Sequence, residues 1–370
     1  GGTRPGGIRT PLTHSSQTRR PDDDHDHDDR ATDLMQSKMQ QSKIIIEEHQ
    51  RRVQSDGLKC SESTEKEDAL TSVIFHCNLP GPLNTELEFN CREPSCGALE
   101  AKEKAVELTD EDYTVDPNFF DDGYALAGAT GFKVWTGSRL MIETLAWPQN
   151  DDCEGLEEIQ ERISSGARLI ELGSGVGVVG TYLSAIGSQV LLTDLPTLVE
   201  NAIESNLLRN EKIMASTSTI SSPDENSCPS WLAPDGIRLG KGWANCTPLD
   251  WTVPLDEQLT KDQSSSIDFI IASDVVFLAS MMNSLLHTVD TIFNASSSNN
   301  PSFILSFQRR DAKDGEGSAA FTTVDGVIAA VEERGWSLGC LAWRPVTVRK
   351  ETEGEVADEL SEVFVFKIKP

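Results

Sequence analysis

Apolar positions are spread very unevenly along this chain. Residues 1–43 are rich in Gly, Pro, Ser, Thr and Arg, hold almost nothing apolar, and include a run of Asp and His at 22–29. Such a stretch cannot bury enough surface to offset the entropy lost on ordering, so a disordered acidic and polar tail over 1–65 is expected. Apolar runs at 70–77 and 87–90 flank a Pro/Gly cluster at 80–82 and predict a hairpin within a peripheral extension, residues 66–120. From 121 onward the pattern is that of a domain. An amphipathic stretch at 135–145 predicts a helix, with Ser138 as its cap. Short apolar runs at 169–171, 189–193, 245–249, 267–273, 302–307, 336–343 and 362–369 predict strands, separated by helical segments at 196–209, 278–293 and 319–334. Pro196 falls in a first helical turn, where a missing N–H matters little. Residues 211–242 are Ser-, Pro- and Gly-rich without a period and read as a largely disordered insertion. The alternation over 121–370 predicts an α/β, Rossmann-like fold: seven strands, mostly parallel, with helices on both faces.

The most informative segment is LIELGSGVGVVGTYLSAIGSQVLLTD, residues 169–194. It reads as a strand ending in Glu171, a glycine turn at Gly173-Ser174-Gly175-Val176-Gly177, a helix, and a second strand closed by Asp194. A βαβ unit of this kind binds a nucleoside: the glycines let the backbone approach, and the carboxylate accepts the ribose hydroxyls. Two cofactor classes use the design. Gly175, Gly177 and Gly180 fit the dinucleotide spacing. Glu171 argues the other way, because a carboxylate beside the turn repels a pyrophosphate and suits a ligand carrying an ammonium and a sulfonium, such as S-adenosylmethionine. Ligands of such sheets lie outside the carboxyl ends of the strands, and Glu171, Gly173, Asp194 and Asp274 all fall at or just after strand ends.

Charge and cysteines narrow the partners. A formal net charge of −28 opposes a nucleic-acid backbone as partner and permits a basic protein substrate. The eight cysteines show no close metal-binding pairs, so no metal site is expected. The Asp/His run has metal-ligand chemistry but no defined geometry. There is no apolar run near membrane-spanning length, so a soluble, cytoplasmic monomer with reduced thiols is expected, with a nuclear pool compatible. The first 21 residues carry four arginines and no acid, the composition of an organelle transit peptide, but show no apolar helical face.

Further chemistry sits at later strand ends. Asp250-Trp251 closes the third strand, where an indole can border an adenine ring or serve as core. Asp274 leaves a nearly all-apolar strand, as a site carboxylate or as a cap for the next helix. Val134-Trp135, Glu171-Leu-Gly-Ser-Gly175, Thr193-Asp194, Leu249-Asp-Trp251 and Ser273-Asp-Val-Val-Phe277 occur in that order. Together they resemble the seven-β-strand, class I lysine methyltransferases that act on non-histone proteins such as chaperones and translation elongation factors, over about residues 120–370. The resemblance implies S-adenosylmethionine as cofactor and a protein lysine as acceptor. It puts Trp135 in the lining of the donor pocket, Gly173, Ser174 and Gly175 at the methionine moiety, Asp194 at the ribose, Asp250 and Trp251 at the adenine, and Ser273 against the donor. Asp274 opens the family's Asp-x-x-Tyr motif at the target lysine, with Phe277 in place of the tyrosine. Three other readings are a methyltransferase of the same fold acting on histidine or a small molecule, a nicotinamide-dependent oxidoreductase, and a non-catalytic binding protein.

Overall fold

The computed structural model describes residues 58–67, 70–80, 85–92, 130–147, 155–217, 227–276, 278–296, 299–309, 322–352 and 355–370. The Asp/His run and Phe277 lie outside them. The element that positions everything else is an eight-stranded sheet. Its strands are β4 (Arg168–Leu172), β5 (Gln189–Asp194), β6 (Ile237–Leu239), β7 (Gly242–Pro248), β8 (Phe269–Ser273), β9 (Ser302–Gln308), β10 (Ser337–Thr352) and β11 (Glu355–Lys369), in the spatial order β10-β11-β9-β8-β4-β5-β7-β6. The five strands from β9 to β7 run parallel, and β10, β11 and β6 are antiparallel to their neighbours.

Both faces of the sheet are covered, which is why its inner strands read as continuous apolar runs. Alternate residues divide between two cores. Leu169, Leu192, Phe269, Ile271 and Val365 pack with helices α1 (Thr136–Ala146), α2 (Leu156–Ser164) and α3 (Val178–Ile186). Ile170, Leu191, Ile270, Leu305 and Phe366 pack with α5 (Ala279–Ala295) and α6 (Val324–Glu332). Between β5 and β6, a turn at Pro196–Leu198 and a π-helical turn at Val199–Ile203 lead into α4 (Glu204–Thr217). A second sheet, order β1-β2-β3, holds β1 (Cys60–Glu67), β2 (Leu70–Asn78) and β3 (Glu86–Arg92), and its Phe75, Cys77, Leu87 and Phe89 join the α1/α3 core. Among the described residues, no helix is long and apolar enough to cross a membrane, and each cysteine is a free thiol.

The α/β, Rossmann-like class is as expected, and four details differ. The sheet has eight strands because β6 adds a three-residue edge to β7. That strand comes from the segment expected to be a structureless insertion. In fact α4 continues to Thr217, and a 3₁₀ turn at Ser230–Leu232 buries Trp231 and Leu232 completely enough to order the segment from 227; residues 218–226 lie outside the description. The tail boundary at 65 falls inside β1, a polar strand held by its antiparallel register with β2 rather than by an apolar pattern. Ser138 is no cap: α1 starts at Thr136, after Trp135, and Ser138 lies in its first turn.

Candidate active site

At the carboxyl ends of β4, β5, β7 and β8 lies a cavity of about 380 Å³, within the range of about 300–1,000 Å³ typical of small-molecule sites. Its floor is the loop after β4. Gly173, Gly175 and Gly177 have φ of +72°, +57° and +82°, the left-handed region that side chains disfavour. Space excludes side chains as well: a β-carbon on Gly173 would sit 2.6 Å from Val275 Cγ1 and 3.3 Å from the Trp251 ring, and one on Gly175 would sit 2.9 Å from the Gly131 carbonyl. The loop is fastened to β5 by the Gly173 and Ser174 N–H groups, which both donate to Thr193 O at 2.9 and 3.0 Å.

Asp194 ends β5 and lines the cavity. Its carboxylate accepts from the Gly175 N–H at 2.7 Å and from the Leu195 N–H at 2.7 Å, one on each oxygen. Each oxygen therefore keeps acceptor capacity for a ligand. Burial pushes its pKa up to about 6, against the lowering effect of those two N–H donors.

Glu171 is placed differently from expectation. It is 1% exposed and is not among the residues lining the cavity. Side chains alternate along a strand, and the period turns Glu171 under α3. There its Oε2 accepts from the Gly180 N–H at 3.1 Å, and a β-carbon on Gly180 would sit 2.5 Å from that oxygen. Gly180 is thus required by the packing of Glu171. Desolvation pushes Glu171 up to about 8, with the Ser174 hydroxyl and Gly180 N–H opposing and the Asp194 charge reinforcing. The carboxylate braces the loop from below and does not face the cavity.

The remaining walls come from three segments. Trp135, at the start of α1, donates its indole N–H to Thr130 O at 3.1 Å, closing the segment that crosses over the glycine loop. Trp251 and Asp250 follow β7. One Asp250 oxygen closes its own turn by accepting from the Thr252 N–H and hydroxyl at 2.8 and 2.7 Å. Ser273 ends β8, and its hydroxyl meets that of Ser138 at 2.8 Å.

Asp274 is 4% exposed and has φ of +58°, a conformation Asp tolerates better than most residues. Its N–H donates to Ser306 O at 3.0 Å, and its Oδ1 accepts from the Gln308 N–H at 3.2 Å. A β-carbon on Gly137 would come within 3.1 Å of Asp274 Cβ, so α1 needs glycine there to pack on it. The helix-cap reading of Asp274 does not hold: the cap of α5 is Leu278, with no side-chain bond.

The cavity therefore gathers Trp135, Gly173, Ser174, Gly175, Asp194, Asp250, Trp251, Ser273 and Asp274, and leaves out Glu171. It also takes in Ser138, read from the sequence only as a helix cap, and residues the sequence did not single out: Lys133, and Ser280, Met281 and Ser284 on one side of α5. Lys133 is the only cation among the described lining residues, its Nζ 5.7 Å from the Trp135 ring centroid. A small-residue stripe at 280 and 284, four apart after a strand end, was the available signal for the α5 wall. Three carboxylates, apolar walls and a flat indole suit a cationic nucleoside.

Comparison with known proteins agrees. The family described as "Lysine methyltransferase" matches over residues 124–223 and 238–321. Among curated relatives, protein-lysine methyltransferase METTL21E of Mus musculus is 30% identical over 33% of this chain and 39% of its own length. EEF1A lysine methyltransferase 3 of Xenopus tropicalis is 30% identical over 32% of this chain and 51% of its own. Protein-lysine N-methyltransferase rrg1 of Schizosaccharomyces pombe is 32% identical over 28% and 33% respectively. The match thus spans about half or less of each relative. The family match runs through every element that builds the cavity, from α1 to β9, and the segment that carries the cavity belongs to the lysine methyltransferase family.

Proposed function

We propose that this protein is an S-adenosylmethionine-dependent methyltransferase acting on a lysine side chain of a protein substrate. The observation that carries the reading is the order of motif residues along one sheet edge. Strands β8, β4, β5 and β7 are neighbours in that order, and their ends supply Asp274, Gly173, Asp194 and Trp251. With strands about 4.8 Å apart, Asp274 and Asp194 stand about 10 Å apart on either side of the glycine loop. That separation suits a ribose at one carboxylate and a reacting centre at the other.

The residues fit the cofactor. Trp251 and Leu249 would flank the adenine, Asp194 would accept the ribose hydroxyls, and the bare backbone at Gly173 leaves the room that a methionine chain needs. Once bound, S-adenosylmethionine supplies an electrophilic methyl group. The chain's own task is to present the amine. A lysine with a pKa of about 10.4 is only about 0.1% neutral near pH 7.4. Apolar walls favour the neutral amine. The Asp274 carboxylate pulls the other way, but it can accept an N–H and so aim the nitrogen lone pair, and alignment is what an in-line displacement needs most. Phe277, outside the described residues, completes this proposal as an apolar wall beside the amine.

The relatives named for EEF1A and for protein lysine support a protein such as EEF1A as substrate, the motif resemblance adds chaperones to the candidates, and the −28 charge supports a basic partner. A cytoplasmic, monomeric enzyme is part of the same proposal, checked by fractionation and sedimentation. The deciding experiment is transfer of a tritiated methyl group from the donor into a cell lysate, with mass spectrometry of the labelled product. Label on a lysine Nζ is expected. Label on a histidine ring or a small molecule would overturn the acceptor, and binding of reduced nicotinamide instead of the methyl donor would overturn the reaction class.

A further inference from the structure

The three-stranded sheet is fastened to α4 by two asparagines. The Asn90 N–H donates to Asn206 Oδ1 at 2.8 Å, and Asn206 Nδ2 donates back to Asn90 O at 3.3 Å. Asn210 repeats the pattern at Glu88, at 2.9 and 2.8 Å. Two periodicities coincide here. Four helical residues rise about 6 Å, and two strand residues rise about 6.8 Å. Residues two apart on an edge strand turn their N–H and C=O groups to the same side. Because β3 is the edge of its sheet, two primary amides stand where a neighbouring strand would. Both are buried, at 1% and 0% exposure.

The asparagines differ in one respect. The second proton of Asn206 Nδ2 goes to Val176 O at 3.0 Å. Val176 sits between Gly175 and Gly177 and lines the cavity. Asn210 makes its extra bond inside its own helix, to Asn206 O at 2.9 Å. One side chain therefore joins an edge strand at 86–92, outside the segments matched by the family, to the glycine loop.

We propose that Asn206 is a positioning residue of the donor site, tying β3 to the Val176 carbonyl so that seating of the three-stranded sheet and the shape of the glycine loop depend on each other. This rests on the donor reading above. Every polar atom of the amide is engaged, so its loss leaves a buried carbonyl of the loop without its donor. Coupling of this kind acts in both directions.

Asn210 supplies the control, because it fastens the same helix to the same strand without touching the loop. Affinity for S-adenosylhomocysteine is measured by calorimetry well below the melting temperature of each variant. Asn206→Ala and Asn206→Asp, which keeps the acceptor and removes the donor, should bind about tenfold more weakly. Asn210→Ala should bind within about twofold of the parent while melting lower. Equal weakening by both alanine variants, or unchanged binding by the Asn206 variants, overturns the proposal. A second measurement needs no variant: S-adenosylhomocysteine should slow hydrogen exchange at the Glu88 and Asn90 amides of the full chain, and unchanged exchange there also overturns it. If the parent chain fails to bind S-adenosylhomocysteine, the donor reading falls and takes this inference with it.

Discussion

Asp194 has to keep a charge where burial opposes it. Its ordinary value of 3.8 is raised to about 6 in the folded chain. Between those values the folded chain holds a proton that the unfolded chain has lost, so this group favours folding as pH falls through 6 and opposes it at neutral pH. Glu171, raised from 4.5 to about 8, behaves likewise at higher pH. Under the proposed function donor binding would have the opposite sign, because ribose hydroxyls would need the carboxylate as acceptor. Affinity for S-adenosylhomocysteine should be flat above pH about 6 and fall below it, by at most about tenfold per unit. Asp194→Asn should bind more weakly and lose that pH dependence; a parent titration flat through 6 would remove Asp194 from the ribose. Asp274 calls for a different readout. Asp274→Asn should slow single turnover by about 10²-fold while donor affinity changes little, and equal loss of both would move Asp274 into the donor shell. Both carboxylates were legible because they close apolar strands. The strand period sets Glu171 apart from them: residues 169 and 171 share a face, and Leu169 packs under the α1/α3 layer.

At the scale of elements, length decided what could be read. Strands β4, β5, β8 and β9 announce themselves because burial on both faces fills them with apolar side chains. The 3₁₀ turn at Ser230–Leu232 and strand β6 are three residues each, too short to show a period. The largest side chain that anchors them is Trp231. Trp231 is 1% exposed, donates its indole N–H to Gln189 Oε1 at 2.8 Å, and lies under the Arg168 guanidinium at 5.8 Å. Trp231→Ala should destabilise the protein by about 3–5 kcal/mol in chemical unfolding, with donor affinity preserved below the transition. A loss under about 1 kcal/mol would mean the segment contributes little packing. Strand β1 escaped notice for the opposite reason: CSESTEKE is polar throughout and is a strand only because β2 lies beside it.

At the scale of the molecule, composition speaks first. A net charge of −28 should draw in a basic protein substrate, so raising ionic strength from about 0.05 to 0.3 M should raise KM for that substrate with little change in kcat. A KM indifferent to salt would mean recognition rests on apolar or hydrogen-bonding contacts. Removing residues 1–57 should leave the melting temperature within a few degrees, since residues 1–43 hold almost nothing apolar and, among the described residues, the first side chain packed against the core is Leu58; a large drop on calorimetry would show that the removed segment carries part of the fold. The sheet order has a consequence for synthesis. Strand β11 sits between β9 and β10, and its Val363, Val365 and Ile368 are completely buried. On the ribosome, β9 cannot gain its second neighbour until residue 369 has left the exit tunnel, so a nascent chain that has already made the whole donor loop still presents a bare, apolar strand edge. Messages truncated even a few codons before that point should yield aggregates for chaperones and proteases rather than a slower enzyme.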